Sequence, residues 1–465
     1  MADETAKKII EMEPAKARQA LLKSESYFDF DLPHYFDFEP MLHGITEELD
    51  GRPLAEVWAS DPGEQEGLNY VLLQSKDGKL AWRPQELIHP VVYVAMINTL
   101  TNDENWWKLQ ARFSEFAEDR RIECVSAPVV STSKQTDKAA QVTSWWMAME
   151  QQSLELSLQY THLFQTDVAD CYGSINPRLI AWALHGKGFA HSKEGQNNKD
   201  LLGNQIAQLI RGSRNNQTVG IPQGSNAMNL IAEVVLGYAD LQLSRAIDAE
   251  GISGFKVLRY RDDYRVFTNN PGDAETIARL LGDVLRDLGM KLSPSKTSVS
   301  DRIIRTSIKE DKLFWIGKEK KKKSLLKHVL LVHELTEAHP NSGSVSVALS
   351  KFQKRLFKKK KCKDPVLPIV AVLTDVALHN PRTYPLYAAT LSKLLTFIDE
   401  DERRPLVDQV VTRFSKVPYS GHMFIWLQRF VQPMGLSVAL DEPLCKAMDE
   451  PGHQLWNSEW LPEAY

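Results

Sequence analysis

Lys256-Val257-Leu258-Arg259-Tyr260-Arg261-Asp262-Asp263-Tyr264-Arg265-Val266-Phe267 is the stretch that decides the fold. Residues 256–260 and 264–267 are β-prone runs, and the polar joint Arg261-Asp262-Asp263 predicts a β-hairpin with an acidic pair at its tip. Upstream, 162–168 reads as a strand that carries a third acid, Asp167. Asn176-Pro177 predicts a helix start, with Asn as N-cap, Pro at the first helical position and Gly186 to end the helix. Gly220-Ile221-Pro222-Gln223-Gly224 is a turn. After it, Met228, Ile231, Val234, Val235, Tyr238 and Leu241 recur at helical spacing up to Gly251. Downstream, 273–289 is an amphipathic helix, and Met290-Lys291-Leu292 is expected to return as a strand. The order β-α-α-β-β-α-β suits a sheet with helices on one face.

The acids suggest a chemistry. Phosphoryl transfer from a nucleoside triphosphate draws on two divalent ions about 4 Å apart, and hard Mg²⁺ requires carboxylate oxygens. An adjacent pair at a tight turn, Asp262 and Asp263, facing a third acid on a neighbouring strand, Asp167, supplies them. An isolated Asp-Asp is usually a solvated turn, and an isolated strand-end Asp is usually a cap or an ion-pair partner. The weight lies in the ordered set.

That set resembles the palm of retron and group II intron reverse transcriptases. Asp167-Val168-Ala169-Asp170-Cys171-Tyr172-Gly173-Ser174-Ile175 is similar to their Asp-Ile-Lys-Asp-Phe-Phe-x-Ser-Ile motif. Gly220-Ile221-Pro222-Gln223-Gly224-Ser225 matches Gly-x-Pro-Gln-Gly-x, and Tyr260-Arg261-Asp262-Asp263 matches the Tyr-x-Asp-Asp box. Leu292-Ser293-Pro294-Ser295-Lys296-Thr297 looks like the following Lys-Thr motif, and Phe314-Trp315-Ile316-Gly317 resembles the hydrophobic-Gly strand called the primer grip.

The resemblance implies an α/β (α+β) right-hand polymerase palm and fingers, followed by an all-α, helical-repeat-like C-terminal domain. It implies two Mg²⁺ ions (Mn²⁺ the alternative) on Asp167, Asp262, the supporting Asp263 and the backbone of Val168. Backbone of Val168 and Ala169 would meet the triphosphate, the ring of Tyr172 would lie beneath the sugar, and Gln223 would sit under the templating pair. Lys296 would stand near the triphosphate as a proton donor. The alternatives from the residues alone are a core aromatic for Tyr172, good turn chemistry for Gln223 and a surface lysine for Lys296, while Asp170 reads as a local pair or cap. Arg261 stands where the family usually has Ala, Val or Met facing the primer end. Arg121 and Lys134 are the candidate phosphate grips of the fingers.

The boundaries read as an N-terminal region 1–85 without legible chemistry, fingers 86–165, palm 166–323 and a helical domain 324–465. Ile88-His89-Pro90 leads into Val91-Val92-Tyr93-Val94-Ala95-Met96, expected to be a helix ending near Leu100. Past Lys323, Pro365, Pro381, Pro405, Pro418 and Pro433 punctuate apolar helical stretches without a strict repeat. The net charge of −4 hides a local +11 between Lys318 and Lys363, from fourteen Lys/Arg against three Glu. Lys320, Lys321 and Lys322, with Lys358, Lys359 and Lys360, are therefore candidate contacts for a phosphate backbone. The alternative for such runs is a solvated face.

Four scattered cysteines, 43% hydrophobic residues and the lack of a long apolar run point to a soluble cytoplasmic chain with no membrane role. Divergent fingers and a helical tail look most like the prokaryotic defence lineages, the abortive-infection and "unknown-group" reverse transcriptases. That resemblance implies RNA-templated or non-templated DNA synthesis from dNTPs in antiphage defence. It also implies RNA or DNA as template and product, a non-coding RNA partner and a homo-oligomer. Some members prime on a protein hydroxyl, for which Tyr384, Tyr387, Tyr419 and Tyr465 are the candidates. The rival readings are an RNA-dependent RNA polymerase, a catalytically silent nucleic-acid-binding relative and a retron enzyme.

Overall fold

Period-two alternation builds the central sheet. Phe164, Val257, Tyr264 and Val266 point to one side and join the main core. Leu163, Leu258 and Phe267 point to the other and pack with Met149, Leu156 and Ile303. The computed structural model describes residues 6–133, 135–318, 324–436, 438, 440–450 and 452–462.

The strands in chain order are β1 (Ala6–Lys8), β2 (Tyr70–Ser75), β3 (Trp82–Leu87), β4 (Ile122–Cys124), β5 (Val129–Ser131), β6 (His162–Asp167), β7 (Phe255–Tyr260), β8 (Asp263–Thr268) and β9 (Ser298–Ser300). A five-stranded sheet runs β4-β7-β8-β6-β9, with only β4 and β7 parallel. Two small antiparallel pairs, β1-β5 and β2-β3, flank it. The β7–β8 hairpin and the β6–β8 register set Asp167 directly across from Asp263.

The long helix Asn226–Ala249 and the helix Pro271–Asp287 cover the main-core face. Ser225 caps the first through its side chain, which accepts from the Met228 N–H. The Asn176-Pro177 helix begins one position later than expected, at Arg178, whose N–H donates to Asn176 Oδ1, and it ends at Gly186 with φ +81°. The helix Pro90–Leu100 forms as expected. C-terminal to the palm, helices from Leu325 to Val431 share a second core of Val329, Leu349, Phe352, Leu373, Leu391 and Phe414. No helix among the described residues is long and apolar enough to cross a membrane.

Two expected strands are absent. Met290-Lys291-Leu292 supplies only a bridge from Leu292 to Val168. The Met290 N–H closes the preceding helix on Leu285 O, and the edge strand forms later, at Ser298–Ser300. Phe314-Trp315-Ile316-Gly317 lies in a helix, Glu310–Lys318, rather than a primer-grip strand. The reason is packing: Trp315 is buried in the helical core with Phe314 against it, a helical arrangement of apolar side chains. Lys320, Lys321, Lys322, Lys134 and Tyr465 lie outside the described residues.

The end of the chain returns to the N-terminal half. Trp460 is fully buried in the main core, and its carbonyl accepts the Ala59 N–H at 2.8 Å. His89 joins the two ends. Its Nδ1 accepts the Val91 N–H at the start of the helix Pro90–Leu100, so Nε2 carries the proton and donates to Ser458 Oγ at 3.0 Å. Burial holds the imidazole down to about 4. A neutral His in the fold and an ordinary one in the unfolded chain means the unfolded state binds more protons between pH ~6.5 and ~4. Stability contributed by neutral His89 is full above that window and lost as pH falls through it, by up to about 3 kcal/mol. Thermal melts at pH 7.5 and 5 should show this loss. His89→Asn keeps a cap acceptor and should flatten the pH dependence.

Candidate active site

The catalytic candidates gather where β6, the β7–β8 turn and the segment after Leu292 meet. The turn is two residues, Arg261-Asp262, and Arg261 takes φ +54°, a left-handed conformation that costs a non-glycine residue about 1–2 kcal/mol. Three hydrogen bonds hold it there. The Arg261 N–H donates to Ser126 Oγ at 2.7 Å, and Arg259 NH1 donates to the Arg261 carbonyl at 3.1 Å. The Val168 N–H donates to the Asp262 carbonyl at 2.9 Å.

Arg259 itself is fully buried. Its Nε donates to Asp240 Oδ2 and its NH1 to Glu233 Oε2, each at 2.8 Å. Ser126 Oγ donates to Glu233 and the Tyr264 hydroxyl to Asp240. The sequence reading missed this network. Its signal was present: Glu233 and Asp240 are seven apart on a helix whose other inward positions are mostly apolar.

Asp167, Asp262 and Asp263 are all half-buried. Burial first, and then Asp167, push Asp262 above the usual carboxylate range. Burial also raises Asp263, against Arg265 and with help from Asp262 and Asp167. Such a group of acids favours a cation, and one is already there: Lys296 Nζ lies 2.7 Å from Asp167 Oδ2. The donor set therefore fits divalent metal, with hard oxygen ligands and a charge deficit that two buried acids report.

Around this centre the other candidates separate. The Ala169 N–H is spent on Lys291 O at 2.8 Å, as the Val168 N–H is on Asp262 O, so neither amide is free for a phosphate. Asp170 sits at φ +46°, and a Cβ on Gly173 would fall 2.3 Å from its carboxylate, which explains the glycine. The Tyr172 hydroxyl donates to Asn229 Oδ1 at 2.5 Å, and Asn229 Nδ2 donates to Asp29. The Gln223 carbonyl accepts the Glu86 N–H and the Gly224 carbonyl accepts the Asp29 N–H, tying the turn to β3 and the N-terminal region. Arg261 directs its guanidinium to within 4.0 Å of Asp29 Oδ2.

Arg121 is bound in ion pairs with Asp119 and Asp248 rather than free to grip a phosphate. Lys358, Lys359 and Lys360 are exposed at the C-terminal end of the helix Gly343–Phe357. Tyr384 and Tyr387 are fully buried, so neither offers an accessible priming hydroxyl.

Two cations went unread. Lys76 and Arg83 flank the β2–β3 turn, and the charge of Lys76 feels Arg83, Lys296, Asp167 and Asp170. The Asp77-Gly78 dipeptide between them is a hairpin signal within the stretch that carried no legible chemistry.

Residues 97–322 match the family described as Reverse transcriptase (RNA-dependent DNA polymerase). The chain carries a reverse-transcriptase domain. Its enzyme class is accordingly RNA-directed DNA polymerase, a nucleotidyltransferase. Among solved structures it is similar to telomerase from Candida albicans in complex with a fragment of telomeric RNA. The identity there is 13% over 88% of this chain and 72% of that one, with a TM-score of 0.33. It is also similar to apo telomerase from Candida tropicalis, at 11% identity over 87% and 72%, with a TM-score of 0.34. Superpositions this loose carry no argument. No curated protein matches the chain.

For this reverse-transcriptase domain the buried Arg259 makes a sharp prediction. Arg259→Met removes the one cation between Glu233 and Asp240 and leaves two buried carboxylates uncompensated. Urea unfolding should show a loss of about 3–5 kcal/mol, the cost of breaking a buried ion network from one side. A loss below about 1 kcal/mol would show that the network is merely surface-like in strength.

Proposed function

We propose that the chain makes DNA from dNTPs by two-metal phosphoryl transfer at Asp167, Asp262 and Asp263. The observation that carries this reading is the cross-strand pair Asp167–Asp263 beside Asp262, with Lys296 held on Asp167. Asp167, Asp262, supporting Asp263 and the Val168 carbonyl would hold two Mg²⁺ ions, with Mn²⁺ as the alternative. When bound, the metals supply Lewis acidity to the attacking hydroxyl and to the departing pyrophosphate.

The chain's own residues do the rest. Lys296 neutralises charge on the triphosphate side and carries a proton that can pass to the leaving group. Lys76, whose charge feels Asp167 and Asp170, and Arg83 beside it grip the triphosphate as it arrives. Gln223 anchors the turn under the templating position, and the Tyr172 ring, tethered through Asn229, forms the floor beneath the sugar. Template and product are RNA or DNA, and the exposed Lys358, Lys359 and Lys360 are the phosphate contacts outside the palm. A non-coding RNA partner, homo-oligomeric assembly, a cytoplasmic setting and antiphage defence belong to the same reading. They rest on the resemblance of the divergent fingers and helical tail to the defence lineages.

The metal assignment predicts that Asp262→Ala with Asp263→Ala abolishes nucleotide incorporation while circular dichroism and melting stay close to wild type. Val168 bonds to the backbone of Asp262, so the substitution spares that contact. Wild-type incorporation by the folded double variant would place the active site elsewhere.

The gate assignment is tested by two substitutions. A ring at 172 excludes the ribose 2′-hydroxyl by overlap, and specificity of this kind is a clash against the wrong substrate. Tyr172→Ala should raise ribonucleotide use relative to deoxynucleotide use by about tenfold or more. Tyr172→Phe keeps the ring, loses only the bond to Asn229, and should retain selectivity. Competition between dNTP and rNTP on each variant reads this out, and an unchanged ratio in the alanine variant leaves Tyr172 as a core ring. The same assay separates a DNA polymerase from an RNA polymerase.

A further inference from the structure

We propose that His333, Glu337 and Asp375 form a binding site for a divalent transition metal of the zinc class, outside the palm. His333 and Glu337 are four residues apart on the helix Leu325–Ala338 and so share a face. Asp375 and His379 repeat that spacing on the helix Val366–His379, which packs against the first in the same core.

Across the gap, His333 Nε2 lies 2.9 Å from Asp375 Oδ2 and 4.0 Å from Glu337 Oε1. Among the described residues this is the one set of three His, Cys, Asp or Glu whose ligand atoms all fall within 4.8 Å of one another.

The carboxylate of Asp375 is aimed. Arg413 NH2 takes its Oδ1 at 3.0 Å, which leaves Oδ2 toward His333. His379 Nδ1 stands 2.9 Å from the Asp375 carbonyl and 3.5 Å from Oδ2, steadying the same residue from its own helix. Outer partners that orient a ligating carboxylate are a regular part of metal sites, and they offset the cost of placing Arg413 nearby.

The donor chemistry selects the ion. One imidazole nitrogen with two carboxylate oxygens and a remaining position for water suits Zn²⁺ and its first-row neighbours, whereas Mg²⁺ prefers oxygen throughout. Glu337 is exposed, so the ion has a path from solvent. Binding replaces the direct His333–Asp375 contact and ties the two helices together, so it stabilises the C-terminal region.

The experiment uses the full chain, stripped with chelator and titrated with Zn²⁺ under saturating Mg²⁺, which keeps the palm acids occupied. Bound zinc is measured after desalting, and Co²⁺ serves as a coloured probe of the ligand set. Wild type should retain one zinc per chain, show visible Co²⁺ bands and melt at higher temperature with Zn²⁺ than without. His333→Ala and Asp375→Asn should each weaken zinc binding by about tenfold or more. Asp262→Asn combined with Asp263→Asn should leave it unchanged. If His333→Ala fails to fold, Glu337→Gln, altered at an exposed side chain, takes its place with the same expectation. A wild-type chain that retains no zinc, or equal retention in the folded helix variants, overturns the site.

Discussion

A guanidinium without solvent, Arg259, is the constraint on which the palm is organised. Moving it and two carboxylates out of water costs several kcal/mol per ion, and only close geometry recovers that cost. The recovery here is made at three points, Asp240, Glu233 and the carbonyl of Arg261, while Arg259 NH2 is buried without an acceptor among the described residues. Burial raises both acids. At Glu233 the guanidinium and the Ser126 and Cys124 donors overcome it, and at Asp240 the guanidinium and the Tyr264 hydroxyl do not. Because Glu233 and Asp240 belong to the long helix and Arg259 to β7, helix and sheet cannot shift past one another without stranding a charge.

That rigidity is passed to the acidic turn. Ser126 donates to Glu233 and accepts from the Arg261 N–H, so the same hydroxyl serves the buried network and the strained residue. The turn presents Asp262 and Asp263 next to Arg261, the residue held in the left-handed conformation. Their raised proton affinity has the same origin, since acids brought together in a half-buried place resist ionising until a cation arrives. Lys296 answers part of that demand at Asp167. A site under this kind of tension binds cations because the protein has already borne the cost of assembling it.

What could be read in the sequence followed from local rules. The hairpin 256–267, the strand at 162–168 and the helix beginning near Ser225 are all set by alternation, turn residues and caps within a few positions. The cross-strand placing of the acids was legible because they lie at spacings short in sequence or across one pair of strands. Arg259 was not, since its role exists only after a helix nineteen residues upstream packs on its strand. Lys76 and Arg83 were missed for a related reason: their hairpin looks unremarkable until it is folded over the palm. The segment 314–317 failed because its apolar residues satisfy a strand pattern and a helix pattern alike, and the core against which Trp315 packs decided between them.

That same core bears on the β2–β3 hairpin. Gly78, at the tip of the hairpin that carries Lys76 and Arg83, has φ +70°, and a Cβ there would fall 1.8 Å from the Leu378 carbonyl. One strand further, the Ser75 N–H donates to the Tyr419 carbonyl, and Gln74 pairs with His422 of the helix Gly421–Val431. The hairpin is thus seated on the helical region rather than standing free over the palm. Lys76 keeps its place near Asp167, with Arg83 beside it, only while that seat holds. The helices after Ser324 are therefore part of the frame that aims charge at the acids, and the returning tail with Trp460 fastens the same frame from its other side. Motion of the hairpin away from the carboxylates requires the helical region to move with it or to release Gly78, because a backbone carbonyl packed against a glycine leaves no slack between the two.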